Sequence, residues 1–119
     1  MRLRELCGLR VSEVGLGGWV VGSELYKLDD EDARRLVNKA VDLGITLFDT
    51  ADVYGRGRSE ELLGRWLKGY DVVVSTKVGY DFYHYEKPTR RFDSEYLGWA
   101  AAKSAERLGR RPDILMLHN

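Results

Sequence analysis

The sequence contains a single cysteine, Cys7, among its 119 residues. One cysteine cannot form an internal disulfide bond or supply a cysteine-based zinc site, and Cys7 is expected to pack inertly rather than act as a nucleophile. No apolar run approaches the roughly 18 residues that a membrane-spanning helix needs. Residues 1–10 have no continuous apolar stretch between their arginines, so they do not resemble a secretory signal. We therefore expect a soluble, cytoplasmic protein.

An excess of charge of either sign is also absent. The 19 lysine and arginine residues balance the 19 aspartate and glutamate residues. No overall field therefore attracts nucleic acid or an anionic membrane, and neither is an expected partner. Hydrophobic residues at 44% and charged residues at 32% are typical of globular proteins. The length suits about one domain, so we expect residues 1–119 to form a single domain.

Amide side chains are scarce. Glutamine is absent, and the asparagines are only Asn38 and Asn119. Few amides, together with more arginine than lysine, are one pattern of proteins from thermophiles. The same counts also arise by chance in a short chain. Thermophilic origin and chance both stay open as explanations.

The hydrophobic pattern alternates between strands and helices along the chain. Predicted strands cover residues 11–17, 45–48, 71–77 and 113–117, and the segment before them, 1–10, is predicted to form a short hairpin. Acidic residues 29–32 precede the first predicted helix, Ser59 begins the second, and Asp93 or Ser94 caps a third that runs to Leu108. Strands that alternate with helices predict an α/β protein with right-handed crossovers and four parallel strands.

Three titratable residues follow or end consecutive predicted strands. Asp49 follows the second strand, Lys77 ends the third and His118 follows the fourth. The C-terminal ends of parallel strands lie on one side of a sheet, with neighbours about 4.8 Å apart. We therefore expect an ion pair and an imidazole to share one pocket.

Tyr54 lies five residues beyond Asp49, in a loop whose glycines allow it to fold back towards Lys77. A cation near a phenol favours its deprotonated form, and such a tyrosine can act as a general acid near neutral pH. It would protonate a carbonyl oxygen while another group delivers a hydride. The alternative is that each side chain alone is structural: a loop cap, a solvated lysine, a packed ring and a terminal histidine. Four such groups at one sheet end favour the joint interpretation.

Other motifs give weaker signals. Residues 15–18 lack the third glycine of a dinucleotide fingerprint, because position 20 is valine. Residues 55–59, GRGRS, lack the lysine of a phosphate-binding loop, so a tight turn with solvated arginines is favoured. His84 has no second histidine or cysteine at ligand spacing, and no metal site is predicted. The aromatic residues around His84 either wall a substrate pocket or shield the sheet end.

Four segments resemble the aldo-keto reductases: VSEVGLGGW at 11–19, GITLFDTADVYGRGRSEELLG at 44–64, STK at 75–77 and DILMLH at 113–118. The resemblance covers essentially the whole chain, and the second segment is the most specific. It implies a TIM-type (β/α)₈ barrel of roughly 250 residues or more, with NADPH or NADH at the C-terminal strand ends. It also implies reduction of an aldehyde or ketone, a small carbonyl substrate, to an alcohol. The chain would be the N-terminal half-barrel, truncated after the fourth strand.

The resemblance implies that Asp49, Tyr54, Lys77 and His118 form a catalytic tetrad. Tyr54 would be the acid and Lys77 the cation that tunes it. Asp49 would pair with Lys77, and His118 would donate a hydrogen bond to the carbonyl oxygen. The positions that match the family's contacts with the nicotinamide and its ribose are Gly18, Trp19 and Asp49.

The resemblance leaves strands five to eight missing, and with them most of the cofactor site. We therefore expect the chain alone to bind cofactor poorly and to have negligible activity. Independently of the family, a four-strand parallel sheet leaves two edges with unpaired backbone groups. Three explanations stay open: a fragment of a longer reductase, a half-barrel that pairs with a second copy as a homo-oligomer, and an inactive relative that serves as an interaction module.

Overall fold

The computed structural model describes residues 1–23, 25 and 28–119. The strands are β1 (Leu3–Leu6), β2 (Leu9–Ser12), β3 (Gly15–Gly17), β4 (Leu47–Asp49), β5 (Val73–Val78), β6 (Tyr80–Asp81), β7 (Thr89–Arg90) and β8 (Ile114–Leu117). The helices are α1 (Asp30–Asp42), α2 (Arg58–Trp66) and α3 (Ser94–Leu108), with a 3₁₀ turn at Tyr54–Gly57. Among the residues described, no helix is both long and apolar enough to cross a bilayer.

The main sheet has four parallel strands in the order β3, β4, β5, β8. This order follows the chain, since each helix returns the polypeptide to the next position in the sheet. The predicted α/β class, the four parallel strands and the N-terminal hairpin are confirmed. In the register, Asp49 lies beside Ser75, and Lys77 lies beside Met116.

The predicted first strand, 11–17, is wrong as a single element. Its first two residues belong to β2, which pairs with β1 in the hairpin, and its last three form β3. Ser12 causes the break: its hydroxyl donates to the carbonyl of Val14 at 2.6 Å and accepts the amide of Thr46 at 2.8 Å. The backbone therefore turns between the hairpin and the parallel sheet. Cys7, expected to pack, is exposed in the hairpin turn with a φ of 52°.

Two of the three predicted helix starts are side-chain caps, whereas Ser59 does not cap α2, which begins at Arg58 after Gly57. Asp29 accepts the amide of Asp32 at 2.8 Å, and Asp93 accepts the amide of Tyr96 at 3.0 Å. Each side chain satisfies a backbone donor that has no partner within its helix. Gly109 ends α3 with a left-handed φ of 67°. Since the acidic starts of α1 and α3 are local features, the sequence alone was sufficient to predict them.

The helices pack against one face of the sheet in two apolar clusters, and polar side chains lie on the other face. Phe48 and Val74 are fully buried and pack with α1 and α2 in the larger core cluster. Val78 packs with Tyr96 and Ala100 in a second cluster beneath α3. Side chains alternate along a strand, so Lys77, next to Val78, lies on the opposite, concave face. That face carries the polar residues at the C-terminal strand ends.

The outer edge of the sheet, β8, is apolar and open. Leu115, Met116 and Leu117 are 47%, 40% and 60% exposed. Edge strands with unpaired backbone groups and apolar side chains tend to associate. Nothing in the described part of the chain covers this strand on its outer side, because the sheet order ends there.

We predict that this chain, purified alone, associates through β8. Light scattering should show a mass that rises with concentration, and Leu117→Lys should reduce that rise because it places a charge on the edge. Leu43→Lys is the matched control, since Leu43 is 56% exposed at the end of α1, away from the edge. A monodisperse monomer at high concentration, with cooperative unfolding, would contradict the prediction.

Candidate active site

The concave face carries an ion pair at the C-terminal strand ends. The ammonium of Lys77 donates to Oδ2 of Asp49 at 2.8 Å and to the carbonyl of Thr50 at 2.8 Å. The lysine side chain is 17% exposed. A cation with so little water needs both a counter-ion and hydrogen-bond acceptors, and the end of β4 supplies both. The predicted pairing of Asp49 with Lys77 is therefore present in the geometry.

Tyr54 is brought back over this pair by an unusual turn. Its ring centroid lies 5.4 Å from the Lys77 nitrogen. The next three residues, Gly55, Arg56 and Gly57, all have left-handed backbone, with φ of 61°, 53° and 93°. A Cβ at Gly55 would lie 2.3 Å from the carbonyl oxygen of Gly22, so only glycine fits there. The predicted folding back of the glycine-containing loop is what places the phenol beside the cation.

His118 completes the group. Its amide donates to the carbonyl of Val78 at 2.9 Å, which extends the pairing of β5 with β8 by one bond. Its ring meets Tyr54 edge-on at 5.9 Å between centroids and Tyr80 at 4.9 Å. Burial, and then the nearby charge of Lys77, lower the pKa of His118, although Asp49 opposes them. The imidazole is therefore neutral at pH 7 and keeps one N–H donor.

The two remaining predicted contacts, Gly18 and Trp19, lie just beyond β3. Gly18 donates its amide to the carbonyl of Asp49 at 2.6 Å, and its carbonyl accepts the hydroxyl of Ser59 at 2.8 Å. A Cβ at Gly18 would lie 3.0 Å from atoms of Asp49, Ser59 and Leu63. Close packing of β4 and α2 therefore explains this glycine, and its contact with a cofactor stays a prediction. Trp19 is 45% exposed on the same side.

A buried polar cluster on the opposite face of β5 was missed from the sequence. Glu60 of α2 is fully buried, accepts the hydroxyl of Thr76 at 2.7 Å and accepts Nε of Arg107 at 2.8 Å. A signal existed, because Glu60 shares a helix face with Leu63 and Leu67. An acid among core positions needs a buried partner, but the sequence could not show that α3 supplies it.

Asp52 was also missed. It is fully buried, and neither carboxylate oxygen makes a hydrogen bond of normal geometry with the described residues. Burial and then the charge of Glu60 raise the pKa of Asp52 to about 7, against partial opposition from Arg107 and the amide of Val53. Its position between Ala51 and Val53 was the only sign in the sequence that this acid is not on the surface.

The loop after β5 folds around Asp81, which is fully buried. Asp81 accepts Arg91 at 2.9 Å and is 2.9 Å from Nδ1 of His84. Burial opposes ionisation, but these bonds hold the pKa of Asp81 below its ordinary value. His84 therefore braces the loop, and the described residues include no cluster of three or more His, Cys, Asp or Glu side chains placed to hold a metal.

The aromatic residues of this loop divide between the two roles left open. Tyr80 contacts His118 and so walls the site. Tyr83 instead packs edge-on against Trp99 of α3, with ring centroids 4.7 Å apart. The GRGRS segment forms the expected tight turn, and its Arg56 donates to the carbonyl of Glu86 at 3.0 Å.

We predict that Lys77→Met raises the pH midpoint of His118 protonation. The lysine charge disfavours the imidazolium, and the variant also leaves Asp49 as an unpaired anion nearby. The midpoint can be measured by ¹H–¹³C NMR of the histidine rings. Arg110→Met, which removes a cation paired with Asp113 at the other end of the sheet, is the control and should leave the midpoint unchanged. An equal midpoint in Lys77→Met and wild type would contradict the prediction.

Comparison with known proteins shows which family this chain resembles. The sequence model of the Aldo/keto reductase family matches residues 13–119. The Aldo-keto reductase YhdN of Bacillus subtilis is 38% identical over 80 residues, which is 63% of this chain and 24% of that protein.

Two solved structures extend the likeness to nearly the whole chain. The aldo-keto reductase AKR11C1 from Bacillus halodurans in its holo form has a TM-score of 0.89 and 34% identity, over 99% of this chain and 40% of that one. The glycerol dehydrogenase AKR11B4 from Gluconobacter oxydans has a TM-score of 0.81 and 32% identity, over 98% of this chain and 38% of that one. The chain thus spans between about a quarter and two fifths of the length of these relatives.

Proposed function

This chain belongs to the aldo/keto reductase family, and on that premise we propose that it carries the proton-donating half of an NAD(P)H-dependent reduction of aldehydes or ketones to alcohols. The observation that carries the proposal is the convergence of Tyr54, Lys77 and His118 at one sheet end, with Asp49 paired to the lysine. Oxidoreductases among the relatives support the reaction class.

The residues at the end of β4 fit the nicotinamide end of such a cofactor. Asp49 uses one carboxylate oxygen for Lys77, while its other oxygen, Oδ1, is buried without a hydrogen-bond partner in the described residues. A ligand hydroxyl or amide would satisfy that acceptor. Trp19, exposed beyond β3, and Gly18 are the other proposed contacts. When bound, the cofactor supplies the hydride for the carbonyl carbon.

The proton comes from the chain itself. Tyr54 donates its phenolic proton to the carbonyl oxygen as that oxygen gains negative charge. The ammonium of Lys77 stabilises the phenolate that remains, and Asp49 and the Thr50 carbonyl hold the ammonium in place. These groups are already oriented, so little reorganisation is needed during reaction.

His118 acts on the same oxygen as a neutral hydrogen-bond donor. Its lowered pKa keeps the imidazole uncharged near pH 7, so it orients the carbonyl without competing with Tyr54 as an acid. Tyr80 meets the imidazole edge-on, with ring centroids 4.9 Å apart, and helps to hold it in place. The substrate carbonyl then points to Tyr54 and His118 together.

Reduction requires a completed barrel. The relatives reported above are about two and a half to four times as long as the part that matches this chain, and their further length would cover the open edge of β8. We propose that a longer polypeptide or a second copy provides it, and that the working protein is cytoplasmic. The alternative, an inactive relative that serves as an interaction module, is less favoured. Its support is the exposed β8 edge alone, and a missing half-barrel explains that edge equally well.

We predict that Tyr54→Phe abolishes aldehyde reduction but leaves cofactor binding intact in whichever assembly is active. Phenylalanine keeps the ring and removes the proton, a loss of roughly 10²- to 10⁴-fold in turnover. Lys77→Met acts on the same step, so the double variant should be little worse than either single one. Independent, multiplicative losses in this double-mutant cycle would contradict the assigned roles.

We also predict that calorimetry detects no micromolar binding of NADPH to the monomeric chain. Only the nicotinamide end has proposed contacts here, and the rest of the cofactor has none. The control is a full-length relative under the same conditions, which should bind. Micromolar binding by this chain as purified would mean that a second copy completes the site.

A further inference from the structure

Most of the connection between Asp49 and Tyr54 is buried rather than exposed as a surface loop. Thr50, Ala51 and Asp52 have no exposed surface. The amide of Asp52 donates to the carbonyl of Lys77 at 3.1 Å, and the amide of Tyr54 donates to the carbonyl of Ala51 at 3.2 Å. The backbone of Asp52 is therefore tied directly to Lys77 and lies two residues before Tyr54.

The carboxyl of Asp52 interacts with charged and titratable groups on both neighbouring helices and on the segment after β5. Glu60 comes from α2, Arg107 and Tyr96 from α3, Asp81 from β6 and Tyr83 from the loop after β6. Each of these groups influences the proton equilibrium of Asp52, or is influenced by its charge.

The cations of this cluster are already engaged. Arg107 pairs with Glu60 and donates to the phenol of Tyr83, and Arg91 pairs with Asp81. Asp52 is left with no hydrogen-bonded cation among the described residues. A buried carboxylate without such a partner is strongly disfavoured and takes up a proton instead.

We propose that Asp52 is a positioning residue that aligns Tyr54 with Lys77 and His118 only while its carboxyl carries a proton. Ionisation places a second buried negative charge beside Glu60. The carboxylate must then move towards Arg107 or towards water, and either shift displaces the backbone that connects Asp49 to Tyr54. Asp52 touches no reacting atom and acts through the loop. The consequence for catalysis rests on the proposed function, whereas the consequence for the alignment does not.

The direction with pH follows from the raised pKa. Burial and Glu60 raise the pKa of Asp52 to about 7 from the ordinary value of 3.8. Between pH 3.8 and about 7 the folded chain binds more protons than the unfolded chain. The free energy of unfolding therefore falls as the pH rises through this range and then levels off. Alignment of Tyr54 should be complete below pH 7 and decline above it.

The test uses the only two histidines of the chain, His84 and His118, as NMR probes. The ring of His118 meets Tyr54 edge-on, so its resonances report the position of the phenol. In wild type they should shift once with imidazole protonation and again near pH 7. Asp52→Asn, a neutral group of the same shape, should lose the second shift. Asp113→Asn, at the other end of the sheet, should keep it.

In the NMR titration, the proposal is overturned if His118 shows no second shift in wild type or if Asp52→Asn shows the same second shift. The wild-type titration decides even if the variant does not fold. If it folds, Asp52→Asn should gain more in thermal unfolding temperature, relative to wild type, at pH 8 than at pH 5. An equal gain at both values would also overturn the proposal.

A kinetic test separates this proposal from the proposed function. In an active assembly, Asp52→Asn should remove a decline in kcat above pH 7 while leaving KM unchanged, and retention of that decline would overturn the proposal. If instead Tyr54→Phe retains full activity, the proposed function fails, while the NMR result still decides whether Asp52 positions the loop.

Discussion

The ammonium of Lys77 imposes the constraint on which the site depends. It lies at the end of β5 with little access to water, and a cation in that position must be neutralised. Asp49 and the Thr50 carbonyl do this only if β4 ends beside β5 in the observed register. The chain leaving β4 must then pass close to Lys77, and the left-handed turn after Tyr54 returns it to α2. The partly buried charge of Lys77 thus constrains the course of the whole connection.

A second polar cluster lies on the other face of the sheet and begins at Thr76, the residue before Lys77. Thr76 points towards the helices, where it donates to Glu60, and Glu60 binds Arg107 of α3. Two polar clusters therefore lie back to back across β5, one open to ligands and one closed. The amide of Asp52 donates to the carbonyl of Lys77, so a backbone hydrogen bond connects the two clusters. By the proposed mechanism, a change of charge in the closed cluster displaces the backbone of the open one, although the two clusters share no side chain.

Much of the local structure follows from the sequence, because it depends on neighbours in the chain. Polar helix-start residues and alternating apolar runs predicted three helices and four parallel strands. The errors fall where distant residues decide. The break after Ser12 depends on Thr46, which lies 34 residues away. The small β6–β7 sheet and the burial of Asp81 depend on Arg91 and the packing of α3.

The sequence by itself determined the class of fold, the family and the placement of Asp49, Lys77 and His118 on one side of the sheet, since strand order and motif spacing bring these three residues together. Only the tertiary structure decided the rest. It gave Glu60 its cation, left Asp52 without a hydrogen-bonded cation among the described residues, and showed that close packing of β4 and α2 leaves no room for a side chain at Gly18. The physical reason is that the free energy of a buried charge depends on which groups surround it in space, and those groups come from elements far apart in the chain.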